Sequence, residues 1–65
     1  NPDAAVARLT EALEVAPEHA GLYLWRGDYE LSRNRTAAAR ADWERALALS
    51  PSFPGIEDRL NTLTN

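Results

Sequence analysis

Cysteine is absent from the 65 residues, so neither a disulfide nor a thiolate metal site can staple this chain. A chain so short buries a small fraction of its surface, and its core is marginal without help. The help that remains is efficient helix packing, a neighbouring domain or self-association. Lysine is also absent: all seven bases are arginine, which we read as genome composition rather than a functional signal. Positive charge is in short supply overall. Ten acids against seven bases give a net charge of −3. That balance argues against generic binding to nucleic acid or to an anionic membrane, both of which need a basic surface. The charge is uneven: residues 1–20 sum to −3, residues 21–53 to +1 and residues 54–65 to −1. No apolar run approaches the roughly 20 residues that cross a bilayer. No pattern of charged, apolar and small residues opens the chain as a signal peptide would. No stretch alternates with period two, so no strand is expected.

What is present is a repeat. The stretch Leu9-Thr10-Glu11-Ala12-Leu13-Glu14-Val15-Ala16-Pro17 has a counterpart in Trp43-Glu44-Arg45-Ala46-Leu47-Ala48-Leu49-Ser50-Pro51, 34 residues later. Ala46 repeats Ala12, Leu47 repeats Leu13, Pro51 repeats Pro17, and Ala39 likewise repeats Ala5. A fixed period of this size signals stacked supersecondary units.

Four helical segments follow from local chemistry. Asn1-Pro2-Asp3 reads as a helix start: Asn caps free amides, Pro suits the first position, and Asp suits the positive end of the dipole. Ala5, Val6, Leu9, Ala12, Leu13 and Ala16 then form one apolar stripe at helical spacing, which Pro17 stops. Residues 20–33 form a second segment. Leu22, Trp25 and Tyr29 share one of its sides, and Leu24, Asp28 and Leu31 share another. Gly27 stands in its middle, where glycine costs about 1 kcal/mol and implies the close approach of another helix. Arg26 and Glu30 are spaced to pair on its surface. Asn34 is the expected break, because it tolerates a left-handed backbone. The third segment, about 36–49, repeats the stripe with Ala39, Trp43, Ala46 and Leu47. Pro54 opens a fourth, with Glu57 and Asp58 in its first turn and Ile56, Leu60 and Leu63 as its apolar positions. The fold class is therefore all-α, with short turns joining antiparallel helices.

This pattern resembles the tetratricopeptide repeat, a helix-turn-helix unit of 34 residues. Residues 20–53 match one full unit through Tyr23, Gly27, Ala39, Trp43, Ala46 and Pro51. Residues 1–17 match the second helix of a partial unit, through Ala5, Leu9, Ala12 and Pro17, so the chain is expected to be a piece of a longer protein. Residues 54–65 look like the amphipathic helix that closes such arrays, with Leu60 in the place of the family's leucine. Two positions depart from the family: Arg26 stands where leucine usually precedes the glycine, and Glu30 stands where tyrosine usually follows it.

The resemblance implies a protein–protein interaction module that presents a concave helical surface to a peptide or a partner helix. The matching concave positions are Gly21, Leu24, Trp25, Asp28, Leu31 and Ser32, and all but Gly21 are taken as the partner-binding residues. Trp25 is either an anchor in that groove or ordinary core against the first helix. Relatives that clamp a C-terminal carboxylate use Lys and Asn at places held here by Leu24 and Asp28, so a carboxylate clamp is not expected. The competing reading is a structural module that dimerises through the first helix. A partial unit cannot bury its own stripe, and Val6 is apolar where the third helix has Arg40. Val6 and Leu13 are the residues expected at that contact.

Other constellations carry less. Glu14, Glu18 and His19 form a grouping with metal-ligating chemistry, but His19 reads more simply as a cap for the second helix. No serine (Ser32, Ser50 or Ser52) is tied to His19 by spacing, and there is no other nucleophile–base pair. The chain is read as a non-enzyme with no cofactor. Arg33, Arg35 and Arg40 gather at one turn. They could hold an acidic peptide or a phosphate, but a solvated turn beside a helix C-terminus is the plainer reading.

Overall fold

The computed structural model describes residues 3–63. The order is α1 (Ala4–Val15), α2 (Ala20–Ser32), α3 (Thr36–Leu49) and α4 (Ile56–Leu63). Among the described residues there is no strand. α2 packs most extensively on α3, α1 lies against α2, and α4 lies against α3. The Cα extents of 31 × 25 × 14 Å make a thin slab, so few positions are closed on every side.

The turns follow from the residues that punctuate the chain. Asn34 takes φ 64°. The Arg35 amide reaches back to the Glu30 carbonyl at 2.9 Å and the Asn34 amide to Leu31 at 2.9 Å. Those are the two bonds of a Schellman cap, in which a left-handed residue satisfies the last carbonyls of a helix. The two X-Pro stops are copies of one another. The Ala16 amide donates to Ala12 and the Ser50 amide to Ala46, each at 2.9 Å, just before Pro17 and Pro51. His19 then donates to the Ala16 carbonyl at 3.1 Å, and Phe53 to Ser50 at 3.0 Å. The 34-residue echo in sequence is thus an echo in backbone hydrogen bonding. Gly55, at φ 88°, leads into α4.

The core is small and built on one ring. Leu24, Ala39, Trp43, Ala46 and Ile56 form the buried cluster, with Tyr23, Leu31, Leu47, Phe53 and Leu60 packed against it. Ala39 and Ala46 are fully covered, and Trp43 is 2% exposed. Gly27 has the packing reason its position implied. A Cβ there would lie 2.4 Å from Nε1 of Trp43 and 3.1 Å from the Ala39 carbonyl oxygen. The indole therefore lies on the bare backbone of α2, and its N–H donates to the Leu24 carbonyl at 3.3 Å. Ring, glycine and alanines are one solution: small residues bring the axes together and the large one fills what is left.

Several expectations need correction. Asn1 and Pro2 lie outside the described residues. Asp3 is the N-cap of α1, without a side-chain capping bond. His19 holds the N-cap position of α2, and its side chain makes no capping bond either. Leu13, expected on an exposed strip of α1, is only 6% exposed. Its side chain is closed within the chain, because α1 turns that part of its stripe onto α2. The exposed large apolar residue on α1 is instead Val15, at 88%. Arg26 and Glu30 do not pair with each other; each finds a partner outside its own helix.

Candidate functional site

Two features stand out on the surface around α2. The first is a hollow of about 400 Å³ lined by Asp28, Leu31 and Ser32 of α2, Arg59 and Thr62 of α4, and Trp43 of α3. Trp43 is buried, so it forms the floor. Asp28 and Arg59 bridge the hollow between the two helices. Arg59 Nε donates to Asp28 Oδ1 at 2.8 Å and Nη2 to Oδ2 at 3.1 Å, a two-pronged guanidinium–carboxylate pair. Arg59 is itself steadied by a bond from Nη1 to the Gly55 carbonyl at 3.2 Å. The two hydroxyls at the rim donate to their own helices: Ser32 to the Tyr29 carbonyl at 2.6 Å, and Thr62 to Asp58 at 2.9 Å. Their acceptor lone pairs remain available to a ligand.

The five residues expected at a partner surface do not stay together. Asp28, Leu31 and Ser32 line the hollow. Leu24 does not: it is 7% exposed and belongs to the core, packed with Trp43 and Ile56. Trp25 is not core. Its ring is 62% exposed, the most exposed aromatic on the chain. Trp25, Asp28 and Ser32 follow at i, i+3 and i+7, so they share one side of α2. Trp25 therefore flanks the hollow one turn before Asp28 and does not line it.

The second feature is polar and lies where α1, α2 and α3 meet. Asp42 is only 3% exposed. Arg26 grips it with both prongs, Nε to Oδ2 at 2.9 Å and Nη2 to Oδ1 at 2.7 Å. Arg45 adds a third bond to Oδ1 at 2.9 Å. Arg26 also reaches Thr10 on α1 at 3.2 Å and lies 5.4 Å from the centroid of the Tyr23 ring. Hydrogen bonding to Asp42 holds the Arg26 pKa above its ordinary value, against the opposing effect of burial. Glu30, 8% exposed, is met by Arg35 at 3.0 Å, and Arg35 also pairs with Asp3 at 2.9 Å. Hydrogen bonding to Asp3 raises Arg35 and, reciprocally, lowers Asp3 below its ordinary 3.8. Among the described residues every buried side-chain nitrogen or oxygen has a partner. The two departures from the repeat pattern are therefore matched ones. Each brings a charge inward, and each is answered from a neighbouring element. Val6 faces this region with Arg26, Asp42 and Arg45 around a hollow of about 320 Å³.

Of the three arginines expected to gather at the α2–α3 turn, two are engaged within the chain. Arg35 is committed to Glu30 and Asp3, Arg40 donates to the Leu63 carbonyl at 3.2 Å, and Arg33 is exposed. Among the described residues no three carboxylate or imidazole groups approach closely enough to hold a metal ion. Among the described residues no helix is long and apolar enough to cross a membrane. Asp42, Arg59 and Thr62 were not singled out from sequence. Arg26 in an apolar position was the available signal for Asp42, since an arginine there demands a carboxylate on a facing helix. Nothing local pointed to the Asp28–Arg59 pair.

Comparison with known proteins agrees with the architecture. The model of the tetratricopeptide repeat family matches residues 1–55. Two proteins named Tetratricopeptide repeat protein 16, from Macaca fascicularis and Homo sapiens, are each 40% identical to the chain over 58 residues. The match covers 89% of this chain but only 7% of the length of either relative. No solved structure matches the chain.

Proposed function

The chain belongs to the tetratricopeptide repeat family, and we propose that it binds a peptide or a partner helix across α2 and α4. Proteins of this family generally serve as protein–protein interaction modules and are typically non-enzymatic scaffolds. On this reading α2 and α3 form one full unit over residues 20–53, α1 is the second helix of a preceding unit, and α4 closes the stack. α2 and α4 are then the inner helices, and the hollow between them is the working surface.

The observation that carries the reading is the hollow's composition. Its floor is Trp43 with Leu31 beside it, and its rim is polar with Asp28, Arg59 and Thr62. A partner would seat an apolar side chain on that floor and exchange hydrogen bonds at the rim, the usual division between core and edge of an interface. Trp25 adds an exposed aromatic at one end, a residue type enriched where binding energy concentrates. No bond is made or broken in this mechanism.

Selection of binders from a random peptide library, followed by Thr62→Arg, tests it. Thr62 is exposed, so the larger side chain obstructs the hollow without disturbing the core. Selected peptides should lose binding to Thr62→Arg and keep binding to Val15→Arg, which changes α1 alone. Binders indifferent to Thr62→Arg and to Trp25→Ala would place the interaction elsewhere. Self-association through α1 has less support: of its two expected residues only Val6 is partly open, since Leu13 is covered.

A further inference from the structure

Within that reading, we propose that the segment received by the α2–α4 hollow is basic and apolar: an arginine that lies against Trp25 and Asp28, beside an aliphatic residue seated over Leu31 and Trp43. The inference rests on the hollow being the partner surface and adds the partner's chemistry.

The first ground is the distribution of charge that internal pairing leaves over. Arg26, Arg35, Arg45 and Arg59 are joined to Asp42, Glu30, Asp3 and Asp28. Outside these pairs the described residues carry Glu11, Glu14, Glu18, Glu44, Glu57 and Asp58 against only Arg8, Arg33 and Arg40. Glu11, Glu14, Glu18 and Glu44 belong to α1, the turn after it and α3, whereas on α2 and α4 the charges left over are Glu57 and Asp58 against Arg33 at the end of α2. The balance on the two helices that form the hollow is therefore acidic, and complementary charge steers and selects the partner. Near the hollow the same bias has a direction. α2 and α4 both pack against α3, and the short turns reverse the chain each time, so α2 and α4 run the same way. Trp25 stands at the middle of α2 and Asp28 just past it, Asp58 is in the first turn of α4, and Arg33 caps the end of α2. A cation belongs beside Asp28 and Asp58 and away from Arg33.

The second ground is the state of Asp28. Arg59 donates one hydrogen bond to each of its oxygens and leaves the carboxylate 41% exposed. A carboxylate accepts about four hydrogen bonds in all. Asp42 illustrates the fuller arrangement in this same chain: one arginine grips both oxygens and a second, Arg45, adds a bond to Oδ1. Asp28 has its counterpart of Arg26 in Arg59 and lacks a counterpart of Arg45. A partner arginine can supply it. The third ground is Trp25, one turn away and 62% exposed. An indole face is the best aromatic surface for a guanidinium. The aliphatic stem of the same arginine can cover part of the exposed ring.

The test uses the whole chain and blocked peptides carrying one leucine and one arginine, three or four residues apart in a neutral background, with matched glutamate versions. Binding is read by titration calorimetry, with the emission of Trp25 and Trp43 together as a second signal. The arginine peptides should bind at least about tenfold more tightly than their glutamate partners and weaken as salt rises from about 50 to about 300 mM. Asp28→Asn and Trp25→Leu should each lower their affinity roughly threefold or more, with unchanged helical circular dichroism. A preference for glutamate, or equal binding of both sets through Thr62-sensitive contacts, would overturn the basic partner while leaving the groove in place. Arginine-peptide binding that neither variant weakens would likewise overturn it. Failure of every peptide to bind at about 1 mM would overturn the proposal, and with no library-selected binder sensitive to Thr62→Arg it would remove the groove as well.

Discussion

A β-carbon on Gly27 would stand 2.4 Å from the indole nitrogen of Trp43 and 2.5 Å from its Cδ1. The ring cannot step aside, because it is 2% exposed and wedged among Ala39, Ala46 and Ile56. Gly27→Ala therefore sets two effects against each other. Helix propensity favours alanine by about 1 kcal/mol, and overpacking a closed core costs about 1–3 kcal/mol or more. Contact this close puts the cost at the upper end, so a net loss of about 2 kcal/mol is expected from urea midpoints. Trp43→Leu should cost less in the Gly27→Ala background than alone, because it removes the clashing ring. A more stable Gly27→Ala protein would contradict the packing described.

Arg26 and Asp42 invite a double-mutant cycle. Asp42→Ala leaves Arg26, whose side chain is 18% exposed, without its main partner. Breaking a largely buried pair from one side costs about 3–5 kcal/mol. The lower end applies here, since Arg26 keeps Thr10 and the Tyr23 ring. Arg26→Leu alone should cost less, because Arg45 still meets Asp42. Replacing both by leucine should return the protein to within about 1 kcal/mol of the parent, since an apolar pair of similar size substitutes for a buried ion pair without desolvating charge. Chemical denaturation of the four proteins decides it; simple additivity would mean the pair is not coupled.

These two cases mark what was legible in the sequence. Helix ends were, because Pro17, Asn34 and Pro51 act on their own backbone and need no distant partner. The glycine–tryptophan contact was legible in kind, since a helical glycine without a turn to make implies a neighbour. The ion pairs were not. Arg26 and Asp42 are 16 residues apart, and Asp28 and Arg59 are 31 apart. Such spacings say nothing until the helices are laid side by side. The i, i+4 rule pointed Arg26 at Glu30, but a two-pronged grip on the Asp42 carboxylate outweighs a single contact along one helix, and Glu30 is met by Arg35. Leu24 and Trp25 show the same limit at finer grain. They are adjacent, and a rotation of α2 by a fraction of a turn decides which is core; the structure buries Leu24 and exposes Trp25.

Trp25→Ala should therefore leave the fold almost untouched. A side chain 62% exposed has little burial to lose, and surface replacements of this kind stay within about 0.5 kcal/mol. Far-ultraviolet circular dichroism and the urea midpoint should match the parent. Unfolding, or a loss above about 2 kcal/mol, would mean that the indole is part of the core and would remove it from the partner surface.

Asp3 gives the protein an acid-sensitive tie between the start of α1 and the α2–α3 turn. Its hydrogen bond with Arg35 holds its pKa below the ordinary 3.8. A carboxyl depressed in the folded state adds stability above its unfolded value and loses it as pH falls through the folded one. The contribution should therefore be complete near neutrality and fade below pH 3.8. Both partners are well exposed, so salt should also weaken it. Comparing Asp3→Asn with the parent across this range should show a difference in midpoint that closes on the acid side. A difference that stays constant with pH would assign the effect to something other than the carboxylate.

The last expectation concerns α1 itself. Its stripe closes onto α2 at Leu13, and the apolar surface left over is Val15, with Val6 and Leu9 partly covered. Val6 and Val15 are nine residues apart, which puts them on opposite sides of α1. Stable dimers bury about 800 Å² on each partner, more than a few partly covered side chains of one 12-residue helix supply. The chain should sediment as a monomer of 7.2 kDa over the micromolar range. Val6→Arg and Val15→Arg should leave that mass unchanged. A concentration-dependent dimer that Val6→Arg dissolves would return the working surface to α1, and the hollow between α2 and α4 would then have to be tested in the monomeric variant.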